Sequence, residues 1–205
     1  MVKVGSCIAH HTCPPPPVIG LTGASGFIGG YVLRELRSRG LSIVCASRQV
    51  GRRTYRSPKE VWLPFELDRP DPGTLRTLAR TNCLIHLSWD GLSNFRSPHH
   101  LEVEAPRQFD FLRRLMELGA KNVVVAGTCL EYGLQEGALA ETALCRPVVG
   151  YAQAKDHLRR DLEALRSECA VRWCRLFYTY GPGQSARSLY AQLQDALQRG
   201  EPCFD

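Results

Sequence analysis

Residues 18–40 read Val18-Ile19-Gly20-Leu21-Thr22-Gly23-Ala24-Ser25-Gly26-Phe27-Ile28-Gly29-Gly30-Tyr31-Val32-Leu33-Arg34-Glu35-Leu36-Arg37-Ser38-Arg39-Gly40. A short apolar run, Val18 to Leu21, meets a turn with glycine at every third position: Gly23, Gly26 and Gly29. Ile28, Val32, Leu33 and Leu36 then recur at helical spacing up to Gly40, so the order is strand, turn, helix. Glycines so placed permit a tight turn and a close approach of backbone to a pyrophosphate. The helix N-terminus adds unpaired N–H groups and the positive end of its dipole. The same glycines would also suit a plain capped loop. Their position between a strand and a helix favours the phosphate reading.

Outward from this unit the pattern repeats. Strand-like runs occur at Ser42–Ala46, Val61–Phe65 (weakened by Pro64), Cys83–Leu87, Val123–Ala126 and Val171–Phe177. Helical spacing joins Phe109, Leu112, Leu115 and Met116 up to Gly119, then Leu158, Leu162 and Leu165 from Tyr151 on, and finally Leu189, Leu193 and Leu197. Strands alternating with long helices predict a doubly wound α/β fold, Rossmann-like, with a parallel sheet covered on both faces. The leader, residues 1–17, ends in four prolines and reads as a flexible tail. Residues 18–180 are expected to form the nucleotide-binding domain, and the family resemblance set out below implies that residues 181–205 begin a further lobe.

Composition narrows the function. With 44% hydrophobic residues the chain can bury a core of ordinary size. Its net charge of +6 comes without the long basic runs of a nucleic-acid arm, so no nucleic-acid partner is expected. No apolar run approaches the roughly 18 residues of a membrane span, and the N-terminus is not a signal peptide, so the expectation is a cytoplasmic protein without a membrane partner. The nine cysteines contain no CxxC pair and read as reduced, mostly buried thiols, with no metal site.

The end of the second strand, Ser47-Arg48, carries a hydroxyl and a guanidinium where an acid would bind a ribose 2′-hydroxyl. That pair suits a 2′-phosphate and favours NADP, with NAD as the other possibility. Arg52, Arg53, Arg56 and Lys59 behind it would add positive potential. Farther on, Tyr151 and Lys155 stand at i and i+4 on one helical face, where the ammonium would favour the phenolate and lower the Tyr151 pKa. Thr128, at the end of the fifth strand-like run, offers a hydroxyl to the same substrate oxygen. His86 and the tryptophans read as packing residues, with Trp89 near enough to the cleft to approach a substrate. His99-His100 reads as an exposed loop pair.

These residues resemble the extended short-chain dehydrogenase/reductases of nucleotide-sugar metabolism. The carriers are Thr22–Gly29, Leu67-Asp68, Ile85-His86-Leu87-Ser88, Thr128 to Tyr132-Gly133, Tyr151-x-x-x-Lys155 and Arg175–Gly183. The resemblance implies that Gly23, Ser25, Gly26, Phe27, Ile28 and Gly29 hold the pyrophosphate. It places Leu67 and Asp68 near the adenine and runs Leu87 and Ser88 along the cofactor. It further implies that Lys155 holds the nicotinamide ribose while Tyr151 and Thr128 flank a sugar carbonyl. A homodimer through the Tyr151 helix and the long helix before it is implied in the same way.

Sugar-nucleotide 4,6-dehydratases of this kind carry an Asp-Glu pair after the threonine, whereas Cys129-Leu130 stands here and argues against water elimination. The epimerase-reductase of GDP-fucose synthesis carries a cysteine where Leu130 stands. The segments Gly127–Gln135 and Arg175–Tyr178 look like reductases of dTDP-4-keto-6-deoxy sugars, so the expected substrate is a nucleotide sugar reduced at C4 with NADPH. The alternatives are an NAD-dependent 4-epimerase and an NADP-binding module without turnover. The resemblance would put an asparagine where Val103 stands, leaving a proton relay to Glu102 or Glu104. It also extends family members well beyond Asp205, so the substrate lobe is expected to be largely missing.

Overall fold

The computed structural model describes residues 16–48, 50, 57–165 and 168–200. Of the leader only Pro16 and Pro17 are included, and Arg52, Arg53 and Arg56 lie outside the described residues. The elements run β1 (Val18–Thr22), α1 (Phe27–Ser38), β2 (Ser42–Ser47), β3 (Glu60–Pro64), α2 (Pro72–Ala79), β4 (Cys83–His86), α3 (Ala105–Glu117), β5 (Asn122–Thr128), α4 (Gly150–Ala164), β6 (Ala170–Leu176) and α5 (Leu189–Arg199). The six strands form one sheet in the order β3-β2-β1-β4-β5-β6, parallel throughout. After β1 the chain moves to one side for β2 and β3, then crosses back to β4. The crevice at the carboxyl ends of β1 and β4 is therefore the switch point where such sheets bind ligands.

Side-chain alternation divides the strands between two cores. On β2, Val44 and Ala46 join Phe111, Leu112, Leu115, Val123, Val125 and Leu158 beneath α2, α3 and α4, while Ile43 and Cys45 join Leu21, Leu33, Leu36 and Trp62 beneath α1. Each fully buried side chain of this size contributes about 1.5–3 kcal/mol. Pro64 is tolerated because β3 is an edge strand and ends at that residue.

Two expectations fail here. The second face of the sheet is open over β6, where Arg172 and Cys174 are exposed, and the α5 leucines Leu189 and Leu197 face solvent. Of the six described cysteines, all free, only Cys45 is buried.

The long central helix also begins earlier than its periodicity indicates. Pro106 has no N–H to offer, and the Ala105 N–H reaches back five residues to the His100 carbonyl, so residues His100–Glu104 form a π-helical turn ahead of α3. That turn swings His100 and Glu104 inward. His100 is fully buried, contrary to the exposed loop pair read from the sequence, and Val103 is 40% exposed.

Candidate active site

The turn after β1 places Gly29 directly over Gly23: a Cβ at Gly29 would stand 2.0 Å from the Gly23 carbonyl oxygen, so only glycine fits. The N-cap of α1 is Gly26, with no side chain to satisfy the first N–H groups, whereas Asp71 caps α2 and Ser188 caps α5. The free N–H groups of α1 open onto a cleft of about 810 Å³. Fifteen of the residues singled out from the sequence line it: Gly23, Ser25, Gly26, Phe27, Ile28, Gly29, Ser47, Arg48, Leu67, Asp68, Leu87, Ser88, Thr128, Tyr151 and Lys155. The glycine turn, the uncapped α1 N-terminus and the volume of the cleft fit a dinucleotide.

At the β2 end, Ser47 is buried within 3.5 Å of the Ser25 hydroxyl, and Arg48 is exposed, 3.7 Å from the Asp90 carboxylate across the cleft mouth. Lys59 does not face the cleft but donates to the Gly40 carbonyl beyond α1 at 2.9 Å. Asp68 is paired with Arg107, which also reaches Glu104 at 3.3 Å.

A polar chain underlies the β1 and β4 loops. Thr22 Oγ1 accepts the Leu87 and Ser88 N–H groups and lies 2.8 Å from His86 Nδ1, while His86 Nε2 lies 2.5 Å from Gln108 Oε1. Gln108 Oε1 can only accept, so Nε2 of His86 carries a proton, and burial holds the pKa of the ring down to about 4, which leaves it neutral at pH 7. Gln108 Nε2 then donates to the Ser88 carbonyl and to Glu104, whose carboxylate also accepts the Asp90 N–H at 2.9 Å. His86 thus packs in the core, as its apolar strand predicts, and through Thr22 it also braces the Leu87-Ser88 loop.

At the far end, Lys155 is buried, donates to the Ala126 carbonyl at 2.7 Å and sits 3.8 Å from the Trp89 ring centre. Burial lowers its pKa to about 7, against the opposing pull of Glu131 and Glu104. Tyr151 packs edge-on against Trp89 and His100. The expectation that Lys155 lowers the Tyr151 pKa is not met. Burial raises it, and Glu131 and Cys129 push the same way, so the phenol keeps its proton at neutral pH. The Lys155 ammonium is spent on Ala126 and Trp89 instead.

Thr128 ends β5 and caps a single 3-10 turn, Cys129–Tyr132, with its hydroxyl accepting the Leu130 N–H at 3.3 Å. Glu131 returns the bond by accepting the Thr128 N–H at 2.8 Å. This reciprocal box was legible as Thr128-x-x-Glu131 but was not singled out. Gln108 and Arg107 were missed too, and the sequence reads His100 as part of an exposed loop and Glu104 only as a relay, since nothing in local spacing marks the π-helical turn that presents His100 and Glu104. Glu131, Cys145 and Asp156 bring ligand-capable atoms within 4.8 Å of one another. Arg175 already pairs with Glu131, and Arg159 and Arg160 with Asp156, so the cluster reads as ion pairs. Among the described residues no helix is long and apolar enough to cross a membrane.

Comparison with known proteins bears on the family and the fold. The chain matches the NAD dependent epimerase/dehydratase family over residues 19–204. It is 29% identical over 198 residues to the dTDP-6-deoxy-L-talose 4-dehydrogenase (NAD(+)) of Aggregatibacter actinomycetemcomitans, covering 90% of this chain and 73% of that one. Among solved structures it is similar to MoeE5 in complex with UDP-glucuronic acid and NAD, with a TM-score of 0.71 and 29% identity over 90% of this chain and 62% of that one. The UDP-glucose 4-epimerase of Thermotoga maritima shares the fold, with a TM-score of 0.73 at 20% identity over 90% of this chain and 64% of that one. The chain therefore spans less than two thirds of the length of these solved relatives.

Proposed function

The chain belongs to the NAD dependent epimerase/dehydratase family, and from there we propose that it reduces the 4-keto group of a nucleotide-activated 6-deoxy sugar of the dTDP-4-keto-6-deoxyhexose type, with NADPH as the reductant. The observation that carries this reading is that the Tyr151 phenol, the Thr128 hydroxyl and Lys155 line one cleft with the glycine turn. A phenol, a hydroxyl and an ammonium in one cleft can give a proton to a ketone oxygen as it is reduced and hold that oxygen by hydrogen bonds.

The glycine turn and the α1 N-terminus would hold the pyrophosphate, Leu67 and Asp68 the adenine end, and Lys155 the nicotinamide ribose. When bound, the dinucleotide supplies or accepts hydride. Tyr151 gives its proton to the developing C4 alkoxide, and Thr128, whose hydroxyl oxygen already accepts from Leu130, donates a hydrogen bond to the same oxygen. Lys155, at about 7 and with Nζ 5.8 Å from the centre of the Tyr151 ring, can supply a proton on the Tyr151 side of the cleft. Trp89 and His100 pack on the phenol and shield it from water.

A second reading, tight NAD and 4-epimerisation, is favoured by one feature: Asp90 neutralises Arg48 at the cleft mouth. The relative from Aggregatibacter is likewise named for NAD(+). The same proposal places the enzyme in the cytoplasm as a homodimer. The exposed faces of α3 and α4 carry ion pairs such as Arg113 with Asp110 and Glu117, so that contact would be polar. The test is Tyr151→Phe: cofactor binding within a few-fold of wild type and turnover lower by about 10²-fold or more. Equal turnover would remove Tyr151 from its role.

A further inference from the structure

The Glu131 carboxylate has no part in the chemistry above, yet it is fully buried and engaged on both oxygens. Oε1 accepts the Thr128 N–H at 2.8 Å, Oε2 accepts Arg175 Nε at 2.8 Å, and Trp173 Nε1 lies 3.0 Å from each. Arg175 goes on to the Tyr132 hydroxyl at 3.2 Å and the Glu141 carbonyl at 3.3 Å, tying the turn to β6 and to the loop that follows. The packing is tight: a Cβ on Gly127 would stand 2.2 Å from Trp173 Nε1 and 2.7 Å from Glu131 Oε1.

We propose that Glu131 is a positioning residue which, clamped by Arg175 and Trp173, holds the Thr128–Tyr132 turn so that the Thr128 hydroxyl faces the reacting oxygen, and whose charge sets the field along the Lys155 and Tyr151 wall. This rests on the reading of those three residues given above.

Shape and charge both support the assignment. Glutamine at position 131 would match the shape but present an N–H where Arg175 or Trp173 already donates, so a buried contact must break. Lys155 is faced by Glu131 from the turn, Glu104 from the π-helical turn and His86 from β4, with Tyr151 on its own helix and the rings of Trp89 and Trp173 beside it. Both carboxylates favour its charged form against burial. Loss of the charge at Glu131 lowers the Lys155 midpoint.

The experiment compares the wild-type chain with Glu131→Gln and Arg175→Lys. The readouts are the Lys155 side-chain carbon titration by NMR (assigned with Lys155→Met), exchange of the Thr128 amide proton, and kcat and KM on a dTDP-4-keto-6-deoxyhexose. In Glu131→Gln the Lys155 midpoint falls by about half a pH unit or more, the Thr128 amide exchanges faster, and kcat drops by about tenfold or more with KM little changed. Arg175→Lys keeps the charge and loses the fixed Nε contact, so Thr128 exchange also speeds there. It carries the comparison should Glu131→Gln fail to fold. Wild-type exchange at Thr128 in every folded variant, or an unmoved Lys155 midpoint in Glu131→Gln, overturns the proposal. If the wild-type chain turns over no sugar, the functional reading fails, and the titration and exchange still decide the role of Glu131.

Discussion

Lys155 Nζ lies 3.8 Å from the centre of the Trp89 ring, a buried ammonium stacked on an indole rather than paired with a carboxylate. The indole face offers attraction without a counter-charge, and the Ala126 carbonyl takes one of the N–H groups. The lysine is therefore held near its own titration point, which suits a group that passes protons.

This arrangement has a stability signature. Folding holds Lys155 at about 7, and the unfolded side chain titrates at about 10.4. Between these values the unfolded chain binds a proton that the folded chain does not, so Lys155 favours folding increasingly as pH rises through that window and disfavours it most below the window. Relative to Lys155→Met, the wild type gains up to about 1.4 kcal/mol per pH unit between pH 7 and 10. Urea midpoints at pH 7, 8 and 9 check this, and a pH-independent difference contradicts it.

His86 acts at acid pH. Its folded pKa of about 4 lies below the ordinary histidine value, so the stability that depends on the neutral ring is present above about 6.5 and is lost as pH falls towards 4. His86→Gln lowers stability at pH 7, where Thr22 and Gln108 lose their matched partner, and flattens the decline between pH 6.5 and 4. Thermal melts across that range measure both effects.

Gly29→Ala sets a methyl against the Gly23 carbonyl and distorts the turn. Dinucleotide affinity falls by about tenfold or more, equivalent to about 1.4 kcal/mol. The check is a fluorescence titration, with circular dichroism confirming that the sheet remains.

Arg48 and Asp90 make cofactor choice testable. Arg48→Ala weakens NADPH by about tenfold and leaves NADH nearly unchanged, while Asp90→Asn releases the guanidinium and tightens NADPH. Parallel dissociation constants for the two cofactors decide it. Equal losses for both would favour the NAD reading.

The β1–turn–α1 unit, the parallel sheet and the Tyr151–Lys155 pair follow from signals within a few positions, namely glycine spacing, alternation of two and periodicity near 3.6, whereas Leu67, Asp68, Leu87 and Ser88 were legible only through the family resemblance. What stayed hidden depends on distance. His100 looks like loop sequence, and only the missing N–H at Pro106 and the resulting π-helical turn bury it. Glu131 sits in a legible capping box, but its partners Trp173 and Arg175 are more than forty positions away on β6. The raised Tyr151 pKa was read with the wrong sign because helical spacing shows that Lys155 is near, and not that its ammonium points at Ala126 and Trp89.

The most direct test of hydride transfer at C4 is to incubate the chain with NADPH deuterated at the transferring position and a dTDP-4-keto-6-deoxyhexose, then locate the label by mass spectrometry and NMR. The proposed function predicts deuterium at C4 of the product sugar with one NADPH consumed per sugar reduced. A C4-inverted sugar formed from a 4-hydroxy substrate with no net cofactor consumption, and no label from NADPH, would contradict it in favour of the epimerase.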